Sequence, residues 1–437
     1  MPVRFRILAL LSAISFANYF LRNNVSVAMP SLSETFSFSH AEAGWIFGSF
    51  NVAYALFQIP GGVFGDVMGS RRALTIIAIT WAVLTVLTGF VPHLMAACAG
   101  GALTAFVVIR FLMGVANAPV FPLLSGTIGN WFPPGRWALP NAVTQSALAV
   151  AQAATGPLIT VLILKVGLAA SFYLLAPLGF IAAIGWWGYG RDEPAQHPAV
   201  SPQELAFIAS GRVGTAAARQ PGAWKKVIVH RDVLLLAASY FSMNYVFFIF
   251  AQWLFTYLVE ARGFTLLESG FLYALPFVTG AALALVGGVV CDTLCRSIGP
   301  VWGCRGPAVV GLVLVACLLM AGAYAPNPYV AVTLLALCFG FCQFTEPQFW
   351  AAATYIGGEH TPSATGVMNT GGNLAGFLAP VVGLVLDRFG WIPTLATGSV
   401  FALVAAVLWL FVRAQSTTGE TSGEVLAPIV GGQERAC

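Results

Sequence analysis

Twelve stretches of this chain run for 19–29 residues with almost no charge, long enough for each to cross a bilayer as a helix. They fall at 7–29, 42–65, 73–92, 101–129, 138–164, 168–189, 232–259, 268–291, 307–325, 329–356, 364–386 and 391–412. Lipid offers no partner to a backbone N–H or C=O, so only helices and closed barrels cross it. The runs are continuous rather than short and alternating, which excludes a barrel. Composition agrees: 58% of residues are hydrophobic and 8% charged, against about 25% charged in a soluble protein. The expected fold class is an all-α membrane protein of twelve transmembrane helices.

The longest polar segment, 191–231, separates six spans from six. It predicts an N-terminal bundle over 1–190, a linker over 191–231, a C-terminal bundle over 232–413 and a tail over 414–437. The linker is rich in Pro, Ala and Gly; one short surface helix from Pro202 to Arg212 is expected, and no further order. The first apolar run lacks a small-residue cleavage site and continues as a full span, so no cleavable signal is expected. With the N-terminus inside, fifteen Lys and Arg residues fall on the cytoplasmic side and only Lys165, Arg262 and Arg388 outside. This asymmetry predicts a multi-pass inner-membrane protein with both termini cytoplasmic. The net charge of +4 is spread over short loops without a patch, so nucleic acid is not an expected partner.

Two arginines interrupt the apolar runs. Arg22 lies in ILALLSAISFANYFLRNNVSVAM and Arg110 in GGALTAFVVIRFLMGVANAPVF. A cation at the centre of a membrane helix costs at least ~2.5–3.5 kcal/mol on insertion scales, and such residues mark pathways and sites. Snorkelling to the headgroups is the ordinary alternative. It fits Arg22 poorly, because apolar-dominated sequence precedes it from Ile7 onward.

The second span ends in GGVFGDVMGSRR, Gly61 to Arg72, and the eighth in a degraded copy, GGVVCDTLCRSIG. Glycine, aspartate, glycine and paired basic residues in this order resemble the loop signature of the major facilitator superfamily. Finding it after spans two and eight implies two related six-helix bundles, the major facilitator fold. The resemblance assigns Asp66, Arg71, Arg72, Asp292 and Arg296 to a conformational gate away from substrate. NYFLRNNVSVAMP, GSFNVAYALFQIPGG, RFLMGVANAPVFP with NWFPP, and MNTGGNLAGFLAPVVG are similar to the anion:cation symporter family within it. That family includes bacterial sugar-acid and aromatic-acid importers and, more distantly, vesicular glutamate and sialic acid transporters. The likeness covers nearly the whole chain and implies coupled transport of organic carboxylates. It carries substrate-binding roles onto Arg22, Tyr19, Tyr54, Arg110 and Asn369, with Arg110 either joining the site or tuning its charge. Arginine suits such a substrate because it binds a carboxylate through two parallel hydrogen bonds.

The departures bear on coupling. The family's aspartate before the first-span arginine is Leu21 here, and its fourth-span glutamate is Asn117, which is left as a further substrate contact. Two arginines without these acids predict a positive cavity that favours anions, dianions included. The usual fifth-span glutamine falls near Leu148, with Gln145 and Gln152 about a turn either side. Glu346 in CFGFCQFTEPQFW is the acid deepest in a span. Desolvation favours the protonated form of such a carboxyl and a nearby arginine the charged form. It is either the proton-coupling residue or a hydrogen-bonded glutamate beside backbone freed by Pro347. Of its neighbours, Phe344, Phe349 and Trp350 either shape a pocket or pack on other helices. Cys291, Cys295 and Cys304 have loose metal-like spacing in a loop, but without a nearby histidine zinc is not expected.

The sequence thus predicts a secondary transporter of an organic anion (a sugar acid, dicarboxylate or aromatic acid) working by alternating access, with atypical or absent proton coupling. Its partners are the anion, the bilayer and a coupling proton or sodium ion. A monomer is expected; a cofactor, a metal and enzymatic activity are not. Two other readings stay open: a multidrug or metabolite exporter, for which Gly156-Pro157 is a weak signature, and a non-transporting sensor or assembly factor on the same scaffold.

Overall fold

The computed structural model of the chain describes residues 2–94, 99–133, 138–210, 229–357 and 361–414. Arg136, Arg212, Arg219, Lys225, Lys226, Arg435 and the tail beyond Ala414 lie outside them, as does the side chain of Asp66. Twelve spans follow one another. Those of the first half are Val3–Phe36, His40–Leu56 with Gln58–Met68, Ser70–Leu94, Ala99–Asn117 with Val120–Trp131, Ala138–Val166 and Leu168–Tyr189. Those of the second half are Arg231–Glu260, Leu266–Ile298, Pro300–Tyr324, Pro328–Phe344 with Glu346–Gly357, Thr361–Leu374 with Ala379–Phe389, and Trp391–Phe411. Between the halves a short helix, Pro202–Ala209, ends earlier than the expected Arg212. Span 9 begins at Pro300 rather than 307, so Cys304 is helical, as are Cys291 and Cys295 in span 8. These cysteines are not in a loop: Gly299, at φ +87°, turns the chain between the two helices.

The halves repeat each other in their local devices. Spans 2 and 8 each open on a capping box, Ser39 with Glu42 and Thr265 with Glu268, which satisfies backbone donors at the helix start. Glycines in the left-handed region join spans 2–3 (Gly69, φ +76°) and 8–9 (Gly299), and likewise 5–6 (Gly167, φ +86°) and 11–12 (Gly390, φ +78°). A side chain would be strained there. Spans 3, 6, 9 and 12 pair off at the periphery. On span 3, Ile76, Ile79, Val83, Leu87 and Phe90 are exposed at helical spacing, a stripe suited to lipid.

Four spans are interrupted. Span 2 breaks at Phe57, span 4 between Asn117 and Val120, and span 10 at Thr345; span 11 tightens into a 3-10 turn over Ala375–Leu378. Each break lies within two residues of the carbonyl that a following proline (Pro60, Pro122, Pro347, Pro380) crowds from four residues on. Pro30, Pro157 and Pro276 sit inside continuous helices, so proline alone does not force a break. The carbonyl of Gly376 accepts a hydrogen bond from Asn51 Nδ2 at 3.0 Å, so span 2 supplies a partner to loosened backbone in span 11. Such breaks survive in a membrane where protein or a watery cavity meets them.

The halves touch most closely on the face opposite the termini and linker, the far face. Span 2 packs along span 11, and span 5 along span 8. There Gly156 meets Gly270 with no room for a Cβ, so packing accounts for this glycine. At the far-face edge His40 Nε2 lies 2.8 Å from Glu260 and Nδ1 2.7 Å from Asp387. Asp387 also accepts the backbone N–H groups of His40 (3.1 Å) and Ala41 (2.9 Å), so a second-half carboxylate caps a first-half helix, where negative charge is favoured.

The hydrogen bond to Glu260, followed by the one to Asp387, outweighs burial and raises the His40 pKa above its ordinary value. His40 therefore strengthens the closed far face fully below the ordinary histidine value of about 6.5. That contribution is lost as pH rises through the raised value. A His40 side chain about one-third exposed (31%) limits the effect to ~1 kcal/mol, or about fivefold in population. Spin labels on the far-face ends of spans 2 and 11 should separate more often at pH 9 than at pH 6, and His40→Leu should abolish the difference. Identical distance distributions for both proteins at both pH values would sink this assignment.

Candidate functional site

A cavity of about 1230 Å³ lies between the halves and opens toward the face of the termini. Its rim holds Gln58 near the end of span 2, Asn141 near the start of span 5, Trp350 late in span 10 and Gly366 early in span 11. All of these ends lie on that face.

The first half supplies the positive wall. Arg22 projects from span 1 into a cradle of rings, with its guanidinium carbon 4.6 Å from the centre of Phe50, 5.1 Å from Tyr19 and 5.3 Å from Tyr54. Stacking against ring faces holds a guanidinium in place without neutralising it. Arg22 Nη1 also donates a long hydrogen bond of 3.4 Å to the Tyr19 hydroxyl. Among the described residues, no carboxylate forms a salt bridge with Arg22. Tyr19, Arg22 and Tyr54 all line the cavity, and so do Gln145, Leu148 and Gln152 of span 5.

Arg110 takes a different place. It is buried behind Arg22, off the cavity wall. Its Nη1 donates to the Arg22 main-chain carbonyl at 3.0 Å, and its guanidinium lies 4.7 Å from the centre of the same Phe50 ring. Arg110 therefore fixes the backbone that carries Arg22. Asn117 is also off the wall. Its Oδ1 accepts from Asn18 Nδ2 at 2.6 Å and its Nδ2 donates to the Met113 carbonyl at 3.0 Å, which ties span 4 to span 1. In this arrangement both residues pack behind the cavity wall instead of lining it. No pattern in the sequence separates a wall-facing residue from one a turn behind it.

The second half supplies the acidic and amide-rich wall. Glu346 sits at the span 10 break, and its Oε1 accepts from the Tyr240 hydroxyl at 2.5 Å and from Trp350 Nε1 at 2.9 Å. Asn369 lines the cavity and its carbonyl accepts from Asn373 Nδ2 at 2.9 Å. Of the aromatic residues near Glu346, Trp350 reaches the cavity. Phe349 packs between Tyr240 and Trp409, and Phe344 against Phe341. Tyr240, Asn244 and Gln343 line this wall without having been read from the sequence. Tyr240 and Asn244 lie four apart, on one helix face, the signal that could have found them.

The gating positions lie on the termini face. Arg71 N donates to Asp192 at 2.7 Å, and its Nε and Nη2 donate to the Trp187 carbonyl at 3.1 and 2.7 Å. Asp192 also accepts from Ser70 Oγ at 2.9 Å. It thus caps span 3, and it was missed because it lies far off in sequence. Arg72, Asp292 and Arg296 are exposed. Arg296 Nε donates to the main-chain carbonyl of Asp292 at 3.1 Å, and no side-chain pair joins these two among the described residues. Near them, the sulfurs of Cys291, Cys295 and Cys304 come together.

Twelve spans in two repeated halves around a central polar cavity define a membrane carrier of the alternating-access type. The chain belongs to the Major Facilitator Superfamily, whose model matches residues 11–380. It is 30% identical to the probable sulfoacetate transporter of Cupriavidus necator over 97% of each chain. It is 29% identical to the probable galactarate/D-glucarate transporter of Escherichia coli K12 over 94% of each, and 29% to the D-galactonate transporter of Escherichia coli O6:H1 over 90% of this chain and 91% of that one. Among solved structures, a bacterial homolog of the human lysosomal transporter Spinster, inward-facing and occupied, superposes with a TM-score of 0.77 at 15% identity, covering 94% of this chain and 97% of that one. The D-xylose-proton symporter gives 0.70 at 14%, covering 94% and 98%.

Arg22→Lys keeps the charge but loses the planar fork and its stacking on three rings. Binding of a carboxylate substrate is expected to weaken at least about tenfold, or ~1.4 kcal/mol, with an unchanged size-exclusion profile. Titration calorimetry on the purified protein checks this, and wild-type affinity in the lysine variant would remove Arg22 from the site.

Proposed function

We propose that this chain is a secondary carrier of organic anions in the cytoplasmic membrane, and that its substrate carboxylate docks on Arg22. The observation that carries this is a membrane-embedded guanidinium facing a central cavity, held by rings and, among the described residues, without a carboxylate salt bridge. A bound anion completes it through paired charge-assisted hydrogen bonds. The kinship with carriers named for sulfoacetate, galactarate/D-glucarate and D-galactonate supports the same class. One arginine on the wall, with Glu346 opposite, suits one anionic group better than two. The amide side chains of Gln58, Gln145, Asn244 and Asn369 suit a hydroxyl-bearing body, so a sugar acid fits best. Tyr19, Tyr54 and Asn369 orient it, while Arg110 and Asn117 hold span 1. The cavity opens to the face that the positive-inside asymmetry assigns to the cytoplasm, so this arrangement is inward-facing.

Glu346 is the coupling residue in this reading. Both of its donors converge on Oε1, leaving the second oxygen free to take or release a proton. Leu21 is a hydrocarbon side chain and Asn117 a neutral amide, so neither can carry one. Span 10 breaks beside Glu346, so a change in its charge acts where the helix is already discontinuous.

Proteoliposomes test both parts. Labelled D-galactonate should enter saturably, and faster with an inward-directed proton gradient. Failure to take up or exchange any of D-galactonate, D-glucarate or sulfoacetate would overturn the substrate class. Glu346→Gln keeps an oxygen for Tyr240 and Trp350 but cannot titrate. It should abolish gradient-driven accumulation and spare counterflow exchange within about twofold. Accumulation by the glutamine variant would make Glu346 structural.

A further inference from the structure

Cys291 and Cys295 lie one turn apart on span 8, and Cys304 lies near the start of span 9. Their sulfurs stand 3.9 Å (291–295), 3.9 Å (291–304) and 3.6 Å (295–304) apart. A circle through the three has a radius of about 2.2 Å, which three ligands of a tetrahedron produce when each metal–sulfur distance is about 2.3 Å. The triangle is held by backbone. Spans 8 and 9 meet so closely at Gly303 that a Cβ there would lie 2.5 Å from Cys295 Cα, and the chain between them turns within a residue or two at Gly299. Cys291 and Cys304 are buried while Cys295 is half-exposed, so the cluster has one open side for entry and for a fourth ligand. The Tyr355 hydroxyl at the end of span 10 contacts Cys295 on that side.

We infer that Cys291, Cys295 and Cys304 form a tris-thiolate site for a thiophilic metal ion, Zn²⁺, with water or the Tyr355 hydroxyl as fourth ligand. The choice of metal follows from the sulfur-only donors and the tetrahedral radius. Binding replaces three thiol protons with one ion and joins spans 8 and 9 at the mouth of the second half. The absence of a histidine, which argued against zinc in the sequence, carries less weight once three sulfurs converge. A fold-opposed site of this kind acts as a clamp: it fixes two spans at the place where the first half uses Asp192, Ser70 and Arg71.

The test uses the purified full-length protein with Co²⁺ as a spectroscopic probe and Zn²⁺ as competitor. One equivalent of Co²⁺ should produce thiolate charge-transfer and tetrahedral ligand-field bands that Zn²⁺ bleaches. The triple variant C291S/C295S/C304S should lose the bands, and Cys304→Ser alone should weaken binding at least about tenfold. A second measurement needs no variant: Zn²⁺ should shield these three thiols from maleimide, read by mass spectrometry against the same protein without metal. Any of four results would overturn the assignment: bands that persist in the triple variant, no bands in the wild type, no shielding, or a disulfide between two of the three in protein prepared under reductant. Binding of Cu⁺ with no response to Co²⁺ or Zn²⁺ would overturn the choice of zinc.

Discussion

A guanidinium in the middle of a membrane protein must be solvated by something, and the solution adopted for Arg22 organises the first half. Three aromatic rings surround the group without discharging it, and Arg110 grips the main chain beneath it. Asn18 and Asn117 lock spans 1 and 4 together close by. With neither family acid present, no carboxylate among the described residues forms a salt bridge that would compete with an anion for Arg22. The site is thus poised for ligand by what it lacks, and the opposite wall, with Glu346 held by Tyr240 and Trp350, remains separate from it.

The broken helices belong to the same economy of backbone groups. In spans 2, 4, 10 and 11 the ladder is interrupted near the cavity or the seam between halves. Asn51 donating to Gly376 shows how one half completes the backbone of the other. That contact and the His40–Asp387 contact both link spans 2 and 11, so they lie on one seam. Any arrangement that opens the far face must give up both, and the Gly376 carbonyl must then find water.

Much of this was legible in the chain itself because its causes are local. Twelve apolar runs, a glycine–aspartate loop repeated after spans 2 and 8, and an arginine inside span 1 are one-dimensional signals, and the fold follows from them; Tyr19 and Tyr54 beside Arg22 came from the family resemblance, and Phe50, the nearest ring, was not read. The capping boxes of spans 2 and 8 were equally local and were passed over. What stayed hidden was rotation about helix axes. Arg110 and Asn117 sit in the right span at the right depth, yet face span 1 and not the cavity. Tyr240 and Asn244 face the cavity from a span whose sequence between Asp232 and Glu260 has no charge to draw attention. The three cysteines read as a loop because the apolar pattern fades before Pro300, while the helix does not.

The helix Pro202–Ala209 has a mechanical consequence. Glu204 accepts the free N–H groups of Val3 and Arg4 at 3.0 Å each, so this part of the connector is fastened to the start of span 1. Glu204 also pairs with the Arg4 guanidinium at 3.5 Å, and its own N–H is held by Ser201 Oγ at 3.2 Å. A carboxylate at the start of a helix satisfies donors that have no partner within the helix and meets the positive end of its dipole. The connector as far as Ala209 therefore travels with the first half as one body, and unfastening Glu204 exposes the first turn of span 1.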